Sequence, residues 1–445
     1  MENAEKTGSV LLCAALAFCA AVAAHAPALS DNLLWDDAAF VGGNSFVSGC
    51  PNLRIALNPV NLIKVLPVPM SARPLVNASL IADACAGAGP AGMRLTNLLL
   101  HAFNAALLFA LLLLFSGSAP AALFGAVIFA IHPVAAEAVN IITFRSHLLG
   151  FFFFISGLLS ALFYGRGAGH PTAAAAAACY FLALMSAETA IILPAAALPA
   201  VYFDSGRNGL KRMLPLIVVM AAVALFYLWF RAPRSGYAIA GVAAPGISGA
   251  SAFYPQALLP DAAGGWTYGL TFTPWRAVYA DPVANLYTMS RITLDYLAAL
   301  ALPLRLSSDY SPEVIVSLRR GILPLLGCLA FLWSGIFLLV KKRLSGLGLL
   351  FIFVGLLPAL NIWPVYNIKA DRYLYLPLAG FSLAATAGFR YCLAGGKRRI
   401  LAALALLWLA SLGGLSLRRA PEFHNDLSLF SAAVKRQPAA PRART

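Results

Sequence analysis

Two adjacent carboxylates follow the first long apolar run of the chain. The sequence LLWDDAAF places Asp36 and Asp37 beside Trp35, directly after that run. Adjacent carboxylates raise each other's pKa, and a half-buried one can act as a general base. The alternative is that the two acids only end an apolar helix and face water. Residue type and spacing leave both interpretations open.

A second group of polar residues follows the third apolar run. The sequence IHPVAAEAVNIITFRSH contains His132, Glu137 and Arg145. A histidine at a helix end is usually a cap or a buried hydrogen-bonding group, so His132 has a structural alternative. Glu137 and Arg145 are more informative, because unpaired charges at membrane depth are costly.

Cationic residues occur in two further motifs. In SARPLVN, Arg73 either extends along the membrane interface or clamps a phosphate, whose oxygens suit a planar guanidinium. NIKADRYLYLP contains Lys369, Asp371 and Arg372, and its tyrosines are typical of aromatic anchors at a membrane surface. Lys369 and Arg372 facing the same compartment as Arg145 would indicate an anion-binding site.

The composition predicts the environment of these residues. Of the 445 residues, 61% are hydrophobic and 11% are charged, whereas soluble domains have about 45–50% apolar and about 25% charged residues. Apolar runs long enough to cross a hydrocarbon core of roughly 30 Å recur along the chain. Helices satisfy their own backbone in lipid, and no alternating barrel pattern is present. The sequence therefore predicts an all-α polytopic membrane protein.

About eleven spanning helices are predicted from these runs. A further apolar stretch, 290–306, contains Asp295, Pro303 and Arg305, which favour an interfacial or re-entrant helix. The first run ends like a signal peptide, but its acidic start, MENAEK, favours a spanning helix. The predicted spans are 8–29, 94–116, 119–135, 147–165, 172–186, 188–204, 213–231, 321–340, 345–363, 373–393 and 399–417.

The basic residues predict which loops face the cytoplasm. The net charge is +15, and the basic residues lie mostly in short loops, as the positive-inside rule requires, rather than in a nucleic-acid-binding patch. Counting spans from these loops puts the long loops 30–93 and 232–289 on the outer face, with the tail 418–445. Arg319 and Arg320 then also lie outside, against the rule. We expect function on this outer face, since it carries the long loops.

Cys50 and Cys85 are the two of seven cysteines that share one long polar loop. They could pair in a disulfide if that loop faces an oxidising compartment. The other five lie in or beside apolar runs, and the sequence has no CxxC or His/Cys metal pattern.

Four separate segments thus bring acids and bases to one face of the predicted bundle. A polyprenyl phosphate would unite them. Its lipid would lie between helices, its phosphate would meet the arginines, and its head group would meet the carboxylates.

Five motifs resemble one family of membrane enzymes. WDDAAFVGGN, RPLVN, RLTNLLLHAFNAALLFALL, IHPVAAEAVNIITFRSHLLG and KADRYLYLPLAGF occur in this order, within a resemblance that runs from about 31 to 433. They resemble the membrane part of the transmembrane-and-tetratricopeptide-repeat protein O-mannosyltransferases and their bacterial relatives. The resemblance implies a GT-C-type bundle of about eleven transmembrane helices over residues 1–417, with interfacial helices in the large outer loops. The tail 418–445 resembles the lead-in to a tetratricopeptide array that this sequence does not contain.

The resemblance also implies a reaction. A sugar, mannose or a similar hexose, passes with inversion from a dolichyl- or polyprenyl-phosphate donor to a hydroxyl of a protein or glycan acceptor. The related protein O-mannosyltransferases have Asp-Glu-x-x-Phe in the first loop, which falls on Asp36-Asp37-Ala-Ala-Phe40. Asp36 is then the base and Asp37 its partner, while Arg145 binds the donor phosphate with Arg372 beside it.

The remaining candidates for substrate binding are Arg73, His132, Glu137, Lys369 and Asp371. Apart from the lipid-linked donor, the scheme requires no cofactor and no divalent metal, because one base and phosphate-binding cations suffice. The resemblance places the active site on the periplasmic or luminal face, and the alanine-rich composition favours a bacterial inner membrane over the endoplasmic reticulum.

Two departures from the family pattern leave other functions open. Ala187 stands where the family usually has a lysine, which removes an expected phosphate contact, and the repeats are missing. One alternative is a transporter or flippase for a lipid-linked sugar, although most charges lie at helix ends rather than at mid-span. The other is a non-catalytic membrane assembly factor.

Overall fold

The structure is a computed structural model that describes residues 2–58, 73–231, 259–260, 266–267, 281–362, 367–394 and 398–438. Its regular structure is helical, apart from an antiparallel pairing of Leu259–Pro260 (β1) with Trp266–Thr267 (β2). The α-helices are α1 (Glu2–His25), α2 (Ser45–Ser48), α3 (Asn52–Leu57), α4 (Pro74–Cys85), α5 (Pro90–Ser116), α6 (Ala119–Ile131), α7 (Ala136–Asn140), α8 (Arg145–Gly165), α9 (His170–Leu184), α10 (Leu193–Arg231), α11 (Pro282–Ala301), α12 (Leu318–Val340), α13 (Leu344–Leu356), α14 (Tyr375–Ala394), α15 (Arg398–Arg419) and α16 (Asp426–Arg436).

Shorter helical turns connect these helices. They are the 3-10 turns Ala26–Ala28, Pro133–Ala135, Ile142–Phe144, Glu188–Ile192, Leu357–Ala359, Asp371–Leu374 and Ala420–Phe423, and the π-helical turn Ala38–Gly42.

Within the described ranges, six helical segments are long and apolar enough to cross a membrane. A seventh exists if the pair Ala119–Ile131 and Pro133–Asn140, bent by 43°, is one span. The prediction of a helical, multi-pass membrane protein is therefore confirmed at this level. The six segments are Thr7–Ala28, Pro90–Ser116, Ile142–Gly165, Glu188–Trp229, Leu318–Val340 and Arg399–Phe423.

Two of the predicted spans contain shorter helices. α9, with 15 residues, rises about 22 Å, which is less than the roughly 30 Å of a hydrocarbon core. The apolar helix Leu344–Ala359 is similarly short. The count of eleven spans stays a prediction.

The long helix α10 consists of two antiparallel halves. It breaks at Gly206, whose φ of 64° lies in the left-handed region that glycine adopts without strain. Before the break, the carbonyl of Ile191 accepts a hydrogen bond from Tyr180 of α9 at 3.1 Å. After it, Phe226 packs on the next residue of α9, Phe181, with ring centroids 6.5 Å apart. The turn just before α10 and the last part of α10 therefore lie beside one turn of α9. That 188–204 and 213–231 are separate spans stays a prediction.

Glycines allow α13 and α14 to pack closely. A Cβ atom placed on Gly380 would lie 2.5 Å from the backbone nitrogen of Ile352, and one on Gly348 would lie 2.5 Å from that of Ala384. In a membrane the lipid is as apolar as leucine, so helices associate largely through close packing. Small residues at the contact let the two backbones approach this closely. This contact holds the first half of α14, which directly follows the 371–374 turn.

The apolar stretch 290–306 forms the second half of α11 and the turn after it. α11 ends at Ala301, before Pro303, which is a common position for proline after a helix. Within the helix, Asp295 pairs with Arg291 at 3.3 Å and with Lys369 at 2.9 Å.

Candidate functional site

Segments that are far apart in the sequence meet at one end of the bundle, here called the loop end. The backbone of residues 142–143 hydrogen-bonds to Asp37, and Glu137 pairs with Arg372. Arg73, at the start of α4, pairs with Glu188. The segments are 26–58, 73–89, 132–147, 186–192, 367–374 and 420–438.

Asp37 is fully buried and ties the first loop to the segment before α8. One carboxylate oxygen accepts a hydrogen bond from the backbone N–H of Thr143 at 2.9 Å. The other accepts from Ile142 at 3.1 Å and from Leu34 at 3.3 Å. Burial raises the pKa of Asp37 to about 6, although these hydrogen bonds oppose the shift. The geometry favours a positioning role for this residue.

Asp36 has a different environment from its neighbour. It is half-buried and lies close enough to Arg372 to interact with it electrostatically. The guanidinium carbon of Arg372 lies 5.7 Å from the centre of the Trp35 ring and 4.3 Å from that of Phe144. Asp36 is therefore a carboxylate that reaches the surface beside a cation held between aromatic rings.

Arg372 is held in place by Glu137. Glu137 is fully buried, and its two oxygens accept hydrogen bonds from the backbone N–H of Arg372, at 3.1 Å, and from its guanidinium. Burial lowers the pKa of Arg372, but Glu137, Tyr373 and Asp36 together more than offset this, so that the pKa lies above its usual value. The pair delivers a permanently charged guanidinium to the loop end.

A second ion pair lies beside the first. The guanidinium of Arg73 donates to both oxygens of Glu188, at 3.0 and 3.1 Å, and more weakly to Ser146 at 3.4 Å. His147 is half-buried between the two pairs and interacts electrostatically with Arg372, Arg73 and Glu188. Unlike Arg372, Arg73 keeps 32% of its side chain exposed, so it is accessible to a ligand.

These side chains form what we call the charged cluster: Asp36, Arg73, Glu137, His147, Glu188 and Arg372. The sequence reasoning proposed four of them and missed His147 and Glu188 as site residues. The sequence did contain information about His147. Residues two positions apart on a helix point to different sides. Arg145 and His147 at the start of α8 could therefore not both face one site.

Arg145 points into the protein instead. Its guanidinium is fully buried and pairs with Asp83 at 2.6 Å. It also donates to Asn97 at 2.7 Å, to the carbonyl of Met93 at 2.8 Å and to Ser79 at 3.3 Å. A role in donor binding stays a prediction, but this geometry favours holding α4, α5 and α8 together.

His132 makes the hydrogen bonds expected of a buried structural histidine. Its Nδ1 accepts the backbone N–H of Val134 at 3.2 Å, so its Nε2 carries the proton and donates to the carbonyl of Leu300 at 3.0 Å. His132 precedes Pro133, and its extended backbone ends α6, as is common before proline. It thereby positions the segment that carries Glu137.

Lys369 and Asp371 belong to a neighbouring network. Lys369 pairs with Asp295, and its ammonium lies 4.7 Å from the centre of the Tyr310 ring. Asp371 accepts hydrogen bonds from the Tyr310 hydroxyl at 2.5 Å and from Arg419 at 3.2 Å. Burial raises the pKa of Asp371, and Arg419 opposes the shift. These contacts link α11, α14 and α15 beside the charged cluster.

Cys50 and Cys85 form a disulfide whose Cα atoms are 5.2 Å apart. The bond joins the segment before α3 to the end of α4. It therefore anchors α4, the helix that directly follows Arg73.

Ala187, at the position where the family pattern has lysine, packs directly against α8. Ala187 is buried, and a Cβ atom placed on Gly150 of α8 would lie only 2.8 Å from its methyl group. The backbone at 187 thus packs directly on α8. A lysine here would have to bend away from that helix to reach the charged cluster.

The described residues include no group of three or more His, Cys, Asp or Glu side chains placed to hold a metal ion. The charged cluster offers the half-buried carboxylate of Asp36, two arginines and an imidazole, which together suit proton abstraction beside a bound anion. No protein-family model matches the chain, and no curated protein matches it.

Proposed function

We propose that the protein is a membrane glycosyltransferase that moves a hexose, mannose or similar, from a polyprenyl- or dolichyl-phosphate donor to an acceptor hydroxyl, with inversion. In this proposal it has a GT-C-type bundle of about eleven spans, and its loop end faces the periplasm or lumen. The proposal rests chiefly on the placement of the half-buried Asp36 beside Arg372 in the charged cluster.

The reaction assigns one role to the carboxylate and another to the arginines. Asp36 takes the proton of the acceptor hydroxyl as its oxygen bonds to the anomeric carbon. The bond from that carbon to the phosphate oxygen breaks, and its electron pair leaves with the polyprenyl phosphate. The diester donor carries one negative charge and the leaving monoester between one and two, because its second pKa is about 6. Cations beside the phosphate therefore stabilise the developing charge more than the bound donor.

Arg73 and Arg372 are suited to the leaving phosphate in different ways. Glu137 fixes Arg372, so that its guanidinium needs no rearrangement during the reaction. Arg73 pairs with the part-exposed Glu188, so a phosphate can compete with that carboxylate for the N–H groups of Arg73. His147 lies between the two arginines, where its imidazole can hydrogen-bond to the same phosphate.

The experiment compares Asp36→Asn with Asp31→Asn, which changes an exposed acid in the same loop. Purified protein in lipid nanodiscs is given polyprenyl-phosphate mannose, or another hexose donor, and a serine- and threonine-containing peptide or a glycan. We expect transfer by the wild type and by Asp31→Asn, and at least a 100-fold loss in Asp36→Asn at an unchanged melting temperature. Full activity in Asp36→Asn would remove Asp36 from the mechanism.

The same preparation separates the alternatives. A flippase reconstituted in vesicles would move the labelled donor across the bilayer without transferring its sugar. A non-catalytic assembly factor would neither transfer the sugar nor move the donor across the bilayer, whichever donor and acceptor are supplied. Either result would overturn the proposal.

A further inference from the structure

The segment after α15 packs back on the first loop. The backbone carbonyl of His424 accepts hydrogen bonds from Ser30 and Asn32, both at 2.9 Å. The His424 imidazole bonds to the carbonyl of Pro27 at 3.1 Å. α16 follows, and its N-terminus is closed by a capping box between Asn425 and Ser428. Residues 420–436 are therefore an integral part of the loop end.

The first contact of α16 is made with a strained residue. Trp35 has a φ of 53°, a left-handed conformation that is strained for a bulky residue. Its backbone N–H donates to the Oδ1 of Asp426 at 2.7 Å. Its ring lies between Phe430 of α16, at 5.7 Å, and Phe144, at 6.0 Å. Asp426 and Phe430 thus hold Trp35 in a conformation that its own preference disfavours.

This conformation determines where the next residue points. On the inner side, Asp37 is fixed by its hydrogen bonds to Leu34, Ile142 and Thr143. On the outer side, Trp35 is fixed by α16. Asp36 lies between these two fixed residues, so its direction toward Arg372 depends on both.

We propose that Asp426 and Phe430 are positioning residues that hold the Trp35 turn so that Asp36 faces the reacting atoms. This inference rests on the proposed function. It gives α16 a role in the transfer reaction, although this helix touches neither donor nor acceptor.

The test compares three single variants of α16 with the wild type. Asp426→Ala removes the acceptor of the Trp35 N–H. Asp426→Asn removes the charge but keeps an oxygen that can accept the same hydrogen bond. Leu427→Ala is the matched control, because the adjacent Leu427 is 80% exposed. Transfer rates are divided by the amount of monodisperse folded protein, so that a loss of folding does not count as a loss of turnover.

In Asp426→Ala we expect kcat to fall about tenfold or more, with the donor KM changed less than twofold and the acidic limb of the pH–rate profile shifted. Asp426→Asn should recover most of the rate, and Leu427→Ala should match the wild type. A wild-type kcat in Asp426→Ala would overturn the proposal. So would equal losses in Asp426→Ala and Asp426→Asn, because charge rather than the hydrogen bond would then matter.

Hydrogen exchange provides a readout that does not depend on activity. We expect peptides that cover Trp35 to exchange faster in Asp426→Ala than in Leu427→Ala, and near the wild-type rate in Asp426→Asn. If the wild type transfers no sugar, the proposed function fails, whereas the exchange experiment still tests whether α16 anchors the turn. Unchanged exchange in Asp426→Ala would reject the anchoring itself.

Discussion

Asp36 and Asp37 are neighbours in the sequence but do different work in the structure. The carboxylate of Asp37 accepts hydrogen bonds from three backbone N–H groups, and these bonds fix the turn. Asp36 keeps a partly accessible carboxylate next to Arg372. A base must reach its substrate and must also be held still, and here two adjacent acids divide these requirements.

The burial of Asp37 predicts a pH dependence of stability. Its pKa rises from 3.8 to about 6 on folding. Because the folded pKa is the higher one, the contribution of Asp37 to the free energy of unfolding is fully present below about pH 3.8 and is lost as the pH rises through about 6. A shift of this size corresponds to about 3 kcal/mol.

Thermal and denaturant unfolding of the wild type and of Asp37→Asn checks this prediction. The amide does not titrate, so we expect the wild type to lose stability relative to the variant between about pH 4 and about pH 7. Asp31→Asn, at an exposed acid, should show no such trend. A difference between wild type and Asp37→Asn that stays constant over this range would contradict the assigned pKa.

At the scale of elements, apolar run lengths predicted helix positions well. α5, α12 and α15 lie within a few residues of the predicted 94–116, 321–340 and 399–417. The sequence also indicated that Glu137 and Arg372 lie at the same end of the bundle, and they form an ion pair there.

Apolar run lengths could not predict which side chains of different helices contact one another. Donor binding by Arg145 stays a prediction, and the sequence did not indicate that Arg145 contacts Asp83 and Asn97 inside the protein. Run length and loop order fix the depth of a residue in the membrane, whereas its direction depends on partners carried by other helices. The same limit hid Glu188, whose partner Arg73 lies 115 positions away.

The bundle below the charged cluster contains a buried polar contact between α5 and α14. The hydroxyl of Tyr375 bonds to the Nδ1 of His101 at 2.8 Å and accepts a hydrogen bond from Asn104 at 3.1 Å. The Nε2 of His101 bonds to the carbonyl of Ala130 at 3.1 Å. A carbonyl can only accept, so Nε2 carries the proton and the Tyr375 hydroxyl donates to Nδ1.

We therefore expect Tyr375→Phe to lower the free energy of unfolding by about 1–3 kcal/mol, because the buried Nδ1 of His101 loses its partner and the Asn104 amide keeps only its bond to the carbonyl of Leu148. Tyr391→Phe, at a residue that is 81% exposed, is the control and should change stability by less than about 0.5 kcal/mol. Denaturant unfolding in detergent measures both. Equal stability of the two variants would show that the hydroxyl makes no net contribution.

At the scale of the whole molecule, the segment that follows α1 and the segment that follows α15 meet at the loop end. Arg94 of α5 is buried between them and donates to Ser30 at 2.6 Å and to the carbonyls of Phe423, at 3.0 Å, and Ala28, at 3.4 Å. It also donates to the carbonyl of Asn32. One guanidinium thus joins the exit of α1, the start of the first loop and the segment that leads to α16.

Arg94→Lys tests this connection while keeping the charge. A lysine ammonium has three donors on one atom and cannot reach acceptors that are spread around a planar guanidinium. We expect the free energy of unfolding to fall by about 2 kcal/mol or more, since buried carbonyls lose their donors. Limited proteolysis should open the segments 26–33 and 420–436 together, because both depend on Arg94. Arg320→Lys is the control, since Arg320 is 69% exposed and holds only a surface ion pair with Glu313. Cleavage confined to one segment would show that the two are held independently.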